Sequence, residues 1–494
     1  MTGAIRIGRH DNVATLLADG AAGEAVEGVT LATDTPRGHK VALLPIAAGA
    51  EAVKFGHPIG VATRDIAPGE HVHSANLRTG LAGTLAYRFK GGAPRAVARD
   101  KTVARDGAVR FMGYERADGR VGTRNEIWII PTVGCVARTA ERIARAAAGA
   151  LPRHVDGVHA FAHPFGCSQL GDDLSATRRM LASLAGHPNA GGVLIVGLGC
   201  EENQLDALLA ELPPARRGAV RTLAAQLAGD EVAEGAALVA ELAAAADVPR
   251  TAVGLDRLVL GVKCGGSDGL SGLTANPLVG RISDRVTAAG GAVVLTEIPE
   301  MFGAEQVLMD RAADARVFDR IVGLVNGFKQ YFLDHGEPVS ENPSPGNVAG
   351  GITTLEEKSL GAVQKAGRAP VADVIGYGRR IAQDGLTILE APGNDAVSST
   401  ALAAAGATAI LFTTGRGTPM GFPVPTVKIA SNSDLAARKP GWIDFDAGAV
   451  LVDGFDDAAD ALLERICDMA SGEPTAAERN GEREIAIWKR GVTL

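Results

Sequence analysis

The sequence predicts a multi-domain α/β protein in which a small β-rich domain precedes two α/β domains built on parallel sheets. The chain has 494 residues, which at about 100–200 residues per domain allows two to four domains. Its first 88 residues contain short apolar runs separated by turn signals, whereas the remainder alternates apolar strands with helical segments. Closely spaced short strands are typical of an all-β module, and the alternation indicates parallel sheets covered by helices.

The predicted N-terminal domain spans residues 1–88. Apolar runs at residues 28–31, 40–44 and 60–63 are separated by turn segments that contain glycine and proline, which predicts short strands joined by tight turns. Residues 89–108 have mixed charge and weak periodicity, so we expect a linker there.

The second domain is predicted over residues 109–248 and the third over residues 249–494. Both repeat one local order, in which an apolar strand is followed by a loop rich in glycine or cysteine and then by a helix. The predicted strands are residues 126–131, 157–162 and 192–196 in the second domain, and residues 258–263, 292–296, 387–390, 409–412 and 426–430 in the third.

The composition narrows the classes of partner. The formal net charge is −8, without long single-sign runs, which argues against a nucleic acid or an anionic membrane surface as the partner. No stretch reaches the roughly 18 apolar residues that span a bilayer, and the first residues do not resemble a signal peptide. We therefore expect a cytoplasmic protein that acts on a small molecule and forms a homo-oligomer.

Histidines in the N-terminal domain are the first candidate site. His39 follows a glycine turn, and His71 and His73 are two residues apart, which on a strand places both imidazoles on the same face. Imidazole suits a general base or a ligand for iron or zinc. Exposed loop histidines without a catalytic role are the alternative explanation of this pattern.

Cysteines are the second candidate site. Four of the five cysteines follow apolar runs within a few residues, namely Cys135, Cys167, Cys200 and Cys264. Because ligands bind at the carboxyl ends of parallel strands, these thiols are candidates to bind iron or an iron–sulfur cluster. Small buried thiols are the alternative, since unpaired cysteine is commonly buried.

Three glycine-rich loops are candidate anion sites. They span residues 120–125, 265–272 and 413–418, next to predicted strands. Backbone N–H groups in such loops bind carboxylate or phosphate, and arginine adds a bidentate contact. None of the loops contains the P-loop or GxGxxG pattern of nucleotide sites. Carboxylates also follow strands at residues 296–300 and 390–395, although Asn394 also fits a helix cap.

Together these motifs resemble the altronate and galactarate dehydratase family, which includes the related sulfolactate sulfo-lyases. The resemblance covers nearly the whole chain. It lies in residues 11–14, 38–40, 59–60, 69–76, 113–114, 118–125, 163–169, 197–201, 263–268, 296–297, 350–359 and 413–417.

The resemblance implies an N-terminal domain of the SAF, or β-clip, type followed by two α/β domains. It also implies a hydro-lyase that converts a sugar acid to a 2-keto-3-deoxy acid, with iron(II), in some members manganese(II), as the metal. Because the sulfo-lyases of this family are split into two subunits, the single long chain favours a dehydratase. Within the family we expect D-altronate, rather than galactarate, as the small-molecule substrate.

Roles for individual residues follow as hypotheses. We expect His39, His73 and His71 to perform acid–base or metal chemistry, which requires the N-terminal domain to close over the α/β body. The expected substrate contacts are Arg124, Ser267, Asp268, Lys358 and Arg416. The expected metal ligands are Cys135, Cys167, Cys264 and Glu297, of which the three cysteines are the candidates to hold an iron–sulfur cluster in place of a single iron.

The sequence disfavours two other functional classes. A nicotinamide-dependent oxidoreductase is disfavoured because the GxGxxG pattern is missing from the sequence. A non-catalytic sugar-acid sensor is disfavoured because the sequence contains no basic patch or helix pair typical of DNA binding.

Overall fold

The structure is a computed structural model that describes residues 3–89, 109–149 and 151–493. The expected linker at residues 89–108 lies outside the described residues, apart from residue 89. Within the described part of the chain, no helix has the length and apolar character needed to cross a membrane.

The N-terminal domain consists of short antiparallel strands, as predicted. Strands β1, β2, β5 and β8 form one sheet, β6, β7 and β9 form a second, and β3 pairs with β4. The strands are β1 (Ala4–Ile5), β2 (Val13–Leu16), β3 (Ala25–Val26), β4 (Val29–Thr30), β5 (Lys40–Ala42), β6 (Glu51–Lys54), β7 (His57–Ala62), β8 (His71–Val72) and β9 (Leu77–Arg78).

The second domain contains a four-stranded parallel sheet with the order β13-β12-β14-β15. A small antiparallel sheet, β11-β10-β16, lies beside it. The elements are β10 (Arg110–Glu115), β11 (Val121–Gly122), β12 (Glu126–Pro131), α1 (Ala137–Ala147), β13 (Gly157–Ala160), α2 (Gly171–Ala185), β14 (Ala190–Gly197), α3 (Leu205–Ala210), β15 (Val220–Ala224), α4 (Glu231–Ala246) and β16 (Thr251–Gly254).

The C-terminal domain is built on a seven-stranded parallel sheet with the order β19-β20-β18-β17-β21-β22-β23. Its elements are β17 (Val259–Cys264), α5 (Ala275–Ala288), β18 (Ala292–Leu295), α6 (Glu305–Met309), α7 (Ala315–Asp334), α8 (Pro345–Ala349), α9 (Leu355–Ala362), β19 (Val371–Ile375), β20 (Gly385–Leu389), α10 (Asp395–Ala405), β21 (Ala409–Thr414), β22 (Thr426–Ala430), α11 (Ser433–Arg438), β23 (Phe445–Asp446), α12 (Val450–Asp453), α13 (Phe455–Ala470) and α14 (Ala476–Arg479).

The C-terminal domain is the body on which the other two domains pack. One apolar core includes Val13 and Ile59 of the N-terminal domain together with Leu260 of β17. A second core includes Trp128 of the second domain together with Phe412 of β21. Since burial of apolar surface is the main stabilising term in folding, these shared cores hold the three parts in contact and confirm the predicted multi-domain α/β class.

Each parallel sheet has one position at which the chain stops adding strands on one side and continues on the other. In the C-terminal sheet, β17 lies between β18 on one side and β21 on the other. A crevice opens outside the carboxyl ends of parallel strands at such a point, and ligands bind there. The loop that begins at Gly265 follows β17, and the loop that begins at Gly415 follows β21. We therefore expect a ligand to bind at this edge of the sheet.

Several strands were not predicted from the sequence, among them β10, β15 and β19. In β10, only three of the six residues are buried, and β15 and β19 lie at the edges of their sheets. Partly exposed strands carry a weaker apolar signal than central ones. The reading of Asn394 as a helix cap is confirmed, since its side chain accepts hydrogen bonds from Ala396 N and Val397 N.

Candidate active site

One segment, residues 342–351, connects the N-terminal domain with the carboxyl edge of the C-terminal sheet; we call it the bridging segment. It contains α8 and ends in Gly350 and Gly351. Several of the residues predicted from the sequence lie along it. Asn342 contacts Lys358, Gly346 lies beside Arg416, Asn347 contacts Ser267, Val348 contacts His73, Ala349 contacts His39 and Gly351 contacts Lys40.

His39, His71 and His73 form a single cluster, with ring centroids 5.0–5.1 Å apart. The stacked rings of His71 and His73 lie on the same side of the chain, as the two-residue spacing predicted. His39 Nδ1 and His71 Nε2 are 3.0 Å apart. The cluster faces the bridging segment, because His73 Nε2 lies 3.0 Å from Val348 O and His39 Nε2 lies 3.4 Å from Ala349 O.

Burial keeps the three imidazoles in their neutral form. It lowers the pKa of His39 and of His73 below the ordinary value of 6.5, against the opposing effect of the carbonyls of Ala349 and Val348. Burial, with the neighbouring histidines, lowers the pKa of His71 to about 4. A neutral imidazole has a free lone pair, and this is the form that accepts a proton or binds a metal.

A buried ion-pair group fixes the N-terminal domain at this site. Lys40 Nζ lies 2.8 Å and Lys54 Nζ 2.9 Å from the two carboxylate oxygens of Glu357. Burial raises the pKa of Glu357, but the two lysines outweigh it and lower the pKa to about 2. Because Lys40 follows His39 directly, this group sets the position of the histidine cluster.

Glycines allow the backbones of the two domains to touch. A Cβ on Gly269 would lie 1.9 Å from Gly38 O, and a Cβ on Gly351 would lie 2.4 Å from the same atom. Gly38 and Gly351 also have φ values of 82° and 98°, which side chains disfavour. These glycines therefore let His39, next to Gly38, approach the 265–272 loop.

Ser267 and Asp268 organise that loop. The Asp268 carboxylate accepts hydrogen bonds from Ser271 Oγ and Ser431 Oγ, both at 2.8 Å, and from Asn432 Nδ2 at 3.0 Å. Ser267 is buried, and its carbonyl accepts from Asn347 Nδ2 at 2.8 Å. The structure thus brings both residues to the site, where the acceptors of Asp268 are engaged within the protein.

Arg416 and Lys358 are two cations beside the first half of the bridging segment, near Gly346 and Asn342. Arg416 is exposed, and its guanidinium makes no hydrogen bond or ion pair with a described residue. Lys358 Nζ contacts Glu300 Oε1 at 2.8 Å and Asn342 Oδ1 at 3.0 Å, which uses two of its three N–H donors. Burial lowers the pKa of Lys358, but Glu300 outweighs it and raises the pKa above its ordinary value. Both side chains can therefore act on an anionic substrate.

Cys264 and Glu297 join Glu300 in a compact buried group at the ends of β17 and β18. One ligand atom from each residue lies within 4.8 Å of the others. Glu297 has a left-handed backbone, with φ of 69°, and such strain in a residue other than glycine is often found at functional sites. Burial raises the pKa of Glu297 and raises that of Cys264 to about 12. Lysines lower the pKa of Glu300 against the effect of burial.

A metal ion does not fit this group as it is built. Lys365 Nζ lies 2.7 Å from Cys264 Sγ and 3.6 Å from Glu297 Oε2. The Lys365 ammonium therefore already occupies the position that a metal ion would take. Lys263 and Lys358 pair with the remaining oxygens of Glu297 and Glu300. These three lysines balance the negative charge that would otherwise attract iron.

Two nitrogens of the histidine cluster have the spacing of neighbouring metal ligands, and the same 3.0 Å separation is that of a hydrogen bond between them. Two nitrogens bound at about 2.1 Å in neighbouring positions of an octahedral ion are about 3.0 Å apart. His39 Nδ1 and His71 Nε2 have this separation, 3.0 Å, and both rings are held neutral. These two residues are the candidate iron ligands on geometric grounds.

Cys135 and Cys167 lie elsewhere, on exposed loops at the carboxyl edge of the second domain's sheet. Cys200, also exposed, follows the neighbouring strand β14. The loops contact one another, since Gly134 N donates to Phe165 O at 2.8 Å and Asn203 N to Gly166 O at 3.2 Å. Cys264 is buried in the other sheet, so the expected set of Cys135, Cys167 and Cys264 is wrong as a single cluster.

Arg124 is likewise not brought to the site. Its Nε and Nη2 donate to the two carboxylate oxygens of Glu478 at 2.8 and 2.9 Å, and its Nη1 donates to Met469 O at 2.8 Å. Arg124 is therefore not the substrate contact that we expected. It forms a buried ion pair that joins the second domain to the last helices of the chain. Its fork of donors is saturated by protein groups.

Sequence reasoning missed three residues of the site. Asn342, Asn347 and Lys365 contact predicted residues or their partners but received no role. Residues 342–347 read Asn-Pro-Ser-Pro-Gly-Asn, and such a run predicts a rigid loop. Its function was not visible because its partners are distant in sequence.

Family models match each of the three domains of the chain. The model of the altronate/galactarate dehydratase SAF domain matches residues 2–80. The model of the second domain of D-galactarate dehydratase/altronate hydrolase matches residues 113–247, and that of the D-galactarate/altronate dehydratase C-terminal domain matches residues 255–493. The N-terminal domain is thus of the expected SAF type.

Curated relatives extend over the whole chain. Altronate dehydratase of Escherichia coli is 50% identical, with 99% of each chain covered, and altronate dehydratase of Bacillus subtilis is 48% identical, with the same coverage. Galactarate dehydratase (L-threo-forming) of Escherichia coli is 32% identical, over 95% of this chain and 93% of its own. On the strength of these matches to all three domains, the chain belongs to the altronate/galactarate dehydratase family.

Proposed function

We propose that this protein is an altronate dehydratase, which removes water from D-altronate to give 2-dehydro-3-deoxy-D-gluconate. The observation that carries the proposal is that one short segment contacts both a neutral histidine cluster, at residues 348 and 349, and the cations Arg416 and Lys358, at residues 346 and 342. The names of the relatives that are 50% and 48% identical support the choice of altronate.

Dehydration requires a base for the C2 proton, which is only weakly acidic because it lies next to a carboxylate. His73 is our candidate. Its Nε2–H donates to Val348 O at 3.0 Å, which leaves Nδ1 unprotonated and facing the exposed hydroxyl of Ser74, also at 3.0 Å. A backbone carbonyl that fixes the tautomer in this way prepares the other ring nitrogen to accept a proton.

The second requirement is to hold the carboxylate and to protonate the departing hydroxyl. We assign the carboxylate to Arg416, whose free guanidinium can bind it through two hydrogen bonds. We assign the proton for the C3 hydroxyl to Lys358, since Glu300 keeps its ammonium charged and one N–H remains free. The C2 proton then passes to His73 as the C3–O bond breaks and water leaves, and the resulting enol becomes the ketone by losing the proton of its C2 hydroxyl and taking up a proton at C3.

Iron(II) is the metal we propose for the site, with His39 and His71 as the protein ligands; manganese(II) has the same preference for nitrogen and oxygen ligands. A bound metal of this kind polarises the substrate carboxylate and stabilises the charge that develops on it. The residues of the chain supply the remaining functions, which are binding, orientation and proton transfer. Iron content measured on His39→Ala and His71→Ala variants tests this assignment independently of activity.

The decisive experiment measures 2-keto-3-deoxy product from D-altronate, galactarate and other sugar acids, with iron(II) under reducing conditions. The His73→Asn variant should lose about 10²–10⁴-fold in kcat, the usual contribution of a general base. His57→Asn is the matched control, because His57 is exposed in the same domain. Retention of activity within a few-fold in His73→Asn would exclude His73 as the base, and turnover of galactarate without altronate would overturn the substrate.

A further inference from the structure

A cavity lies far from the histidine cluster, between the second domain and the C-terminal domain. Its volume is about 490 Å³, within the range of small-molecule sites. Residues of both domains line it, among them Arg120 and Pro188 from the second domain and Val259, Arg380 and Thr408 from the C-terminal domain. It includes the start of the 120–125 loop, which the sequence marked as a candidate anion site and which the proposed reaction does not use.

The cavity is separate from the proposed active site. Val259 begins β17 and Thr408 precedes β21, whereas the catalytic loops follow the other ends of the same two strands. Each strand is six residues long, which corresponds to roughly 20 Å at about 3.3 Å per residue. One small sugar acid cannot reach both places.

Arginine donors in and under the cavity lack partners. Nη1 of Arg380 is buried and makes no hydrogen bond with any described residue. Arg216 lies beneath the cavity and is 4% exposed. Its Nε is buried and likewise makes no hydrogen bond with any described residue. A buried donor without an acceptor costs free energy, so these atoms point to an acceptor that the described protein groups do not provide.

The lining carries three arginines and three aspartates, of which Asp384 is exposed, and the buried Arg216 adds a further positive charge close to Arg120 and Arg380. Asp118 pairs with Arg120 at 2.6 Å, and Asp256 pairs with Arg257 at the exposed rim at 3.4 Å. Arg380 forms no ion pair within 4.0 Å in the described part of the chain. Burial, together with the charges of Arg120 and Arg380, lowers the pKa of Arg216 to about 10. An anion would relieve this repulsion, because uncompensated buried charges are destabilising.

We propose that this inter-domain cavity binds a small anionic metabolite through a carboxylate or phosphate group, with Arg380 as the primary contact and Arg120 as the second. The guanidinium of Arg380 offers paired donors that match either oxyanion. Because the lining comes from two domains, an occupant also ties the second domain to the C-terminal domain. The site does not depend on the proposed reaction.

The test uses the full-length protein and follows the melting temperature and calorimetric binding in titrations with inorganic phosphate and with succinate. Sodium chloride at equal ionic strength is the reference. We expect a saturable rise in melting temperature with at least one of the two probes, and the probe that responds identifies the oxyanion. In Arg380→Gln the apparent affinity should fall at least tenfold, whereas the matched control Arg379→Gln, which changes an exposed neighbour, should bind as the wild type does.

Two further measurements keep the outcome decisive. In anion-free buffer, Arg380→Gln should melt at the same or a higher temperature than the wild type, because an unpaired cation has been removed. A succinate response that persists in Arg416→Gln would show that the dicarboxylate is not binding at the active site. Absence of a saturable response to both probes, equal affinity in Arg380→Gln, or a large fall in its melting temperature without anion would each overturn the proposal.

Discussion

Replacing Glu357 by glutamine is expected to destabilise the contact between the N-terminal and C-terminal domains. The carboxylate is buried with Lys40 and Lys54, whose side chains are 0% and 3% exposed. One pKa unit corresponds to about 1.4 kcal/mol, so a pKa lowered from 4.5 to about 2 stabilises the folded protein by about 3 kcal/mol. This contribution is complete above pH 4.5 and is lost as the pH falls towards 2.

The ion pair as a whole stabilises far less than this. Burial lowers the pKa of Lys40 from 10.5 to about 8, which by the same conversion costs about 3 kcal/mol. The intact group is therefore close to neutral in free energy, whereas removal of one partner leaves buried charge unpaired and costs about 3–5 kcal/mol. For a domain as large as the C-terminal domain, that loss of stability lowers the melting temperature by roughly 10 °C.

The assay compares melting temperatures of the wild type, Glu357→Gln and a control. Asp456→Asn is the control, because its ion pair with Arg281 is exposed and should contribute at most about 1 kcal/mol. The deficit of Glu357→Gln should shrink between pH 7 and pH 9, because loss of Glu357 lowers the folded pKa of Lys40 further below 8. The folded variant has then already lost this proton, so it gains more stability than the wild type as the pH rises. If Glu357→Gln melts within the range of the control, or its deficit does not depend on pH, the reasoning is wrong.

Three other predictions concern the site. Arg416→Gln should raise KM about tenfold or more with little change in melting temperature, because the guanidinium has no partner among the described residues; an unchanged KM would remove it from substrate binding. Gly269→Ala should reduce activity more than a hundredfold, because the new Cβ would lie 1.9 Å from Gly38 O, whereas Gly323→Ala in α7, with no atom within 4 Å of its Cβ, should leave activity intact. In the native protein, the three exposed cysteines of the second domain should react with a thiol reagent within minutes, and Cys264, with its pKa raised to about 12, only on unfolding; rapid modification of Cys264 would contradict its burial.

The sequence alone was sufficient for the central strands of both parallel sheets. Residues 126–131 and 426–430 were predicted as strands with the observed bounds, because buried parallel strands are continuously apolar. The same signal is weak in β10, whose residues are half exposed, and β10 was not predicted. The antiparallel sheet that it forms with β16 joins segments 140 residues apart, a pairing that no local pattern specifies.

Residue type and local motif identified the candidate residues, but they did not show which of these residues lie together in the folded protein. The histidine cluster followed from local spacing, since His71 and His73 lie two residues apart on one face of the chain. By contrast, the sequence placed the four cysteines in two predicted domains but gave no indication of whether the strand ends of those domains meet. Arg124 sits in a motif that reads as an anion loop, and only the fold shows that Glu478 occupies its donors.

The sequence by itself thus determined the family, the fold class and the presence of a histidine-containing β-domain before an α/β body, because strand and turn signals are local and the motifs are specific. The tertiary structure decided which of those residues share a site. The grouping depends on long-range contacts. The bridging segment contacts His39 and His73, which are some 275–310 positions away in the chain. Lys365 occupies the position beside Cys264 that a metal ion would take. Distances of this kind depend on how whole domains pack, which residue type and spacing do not encode.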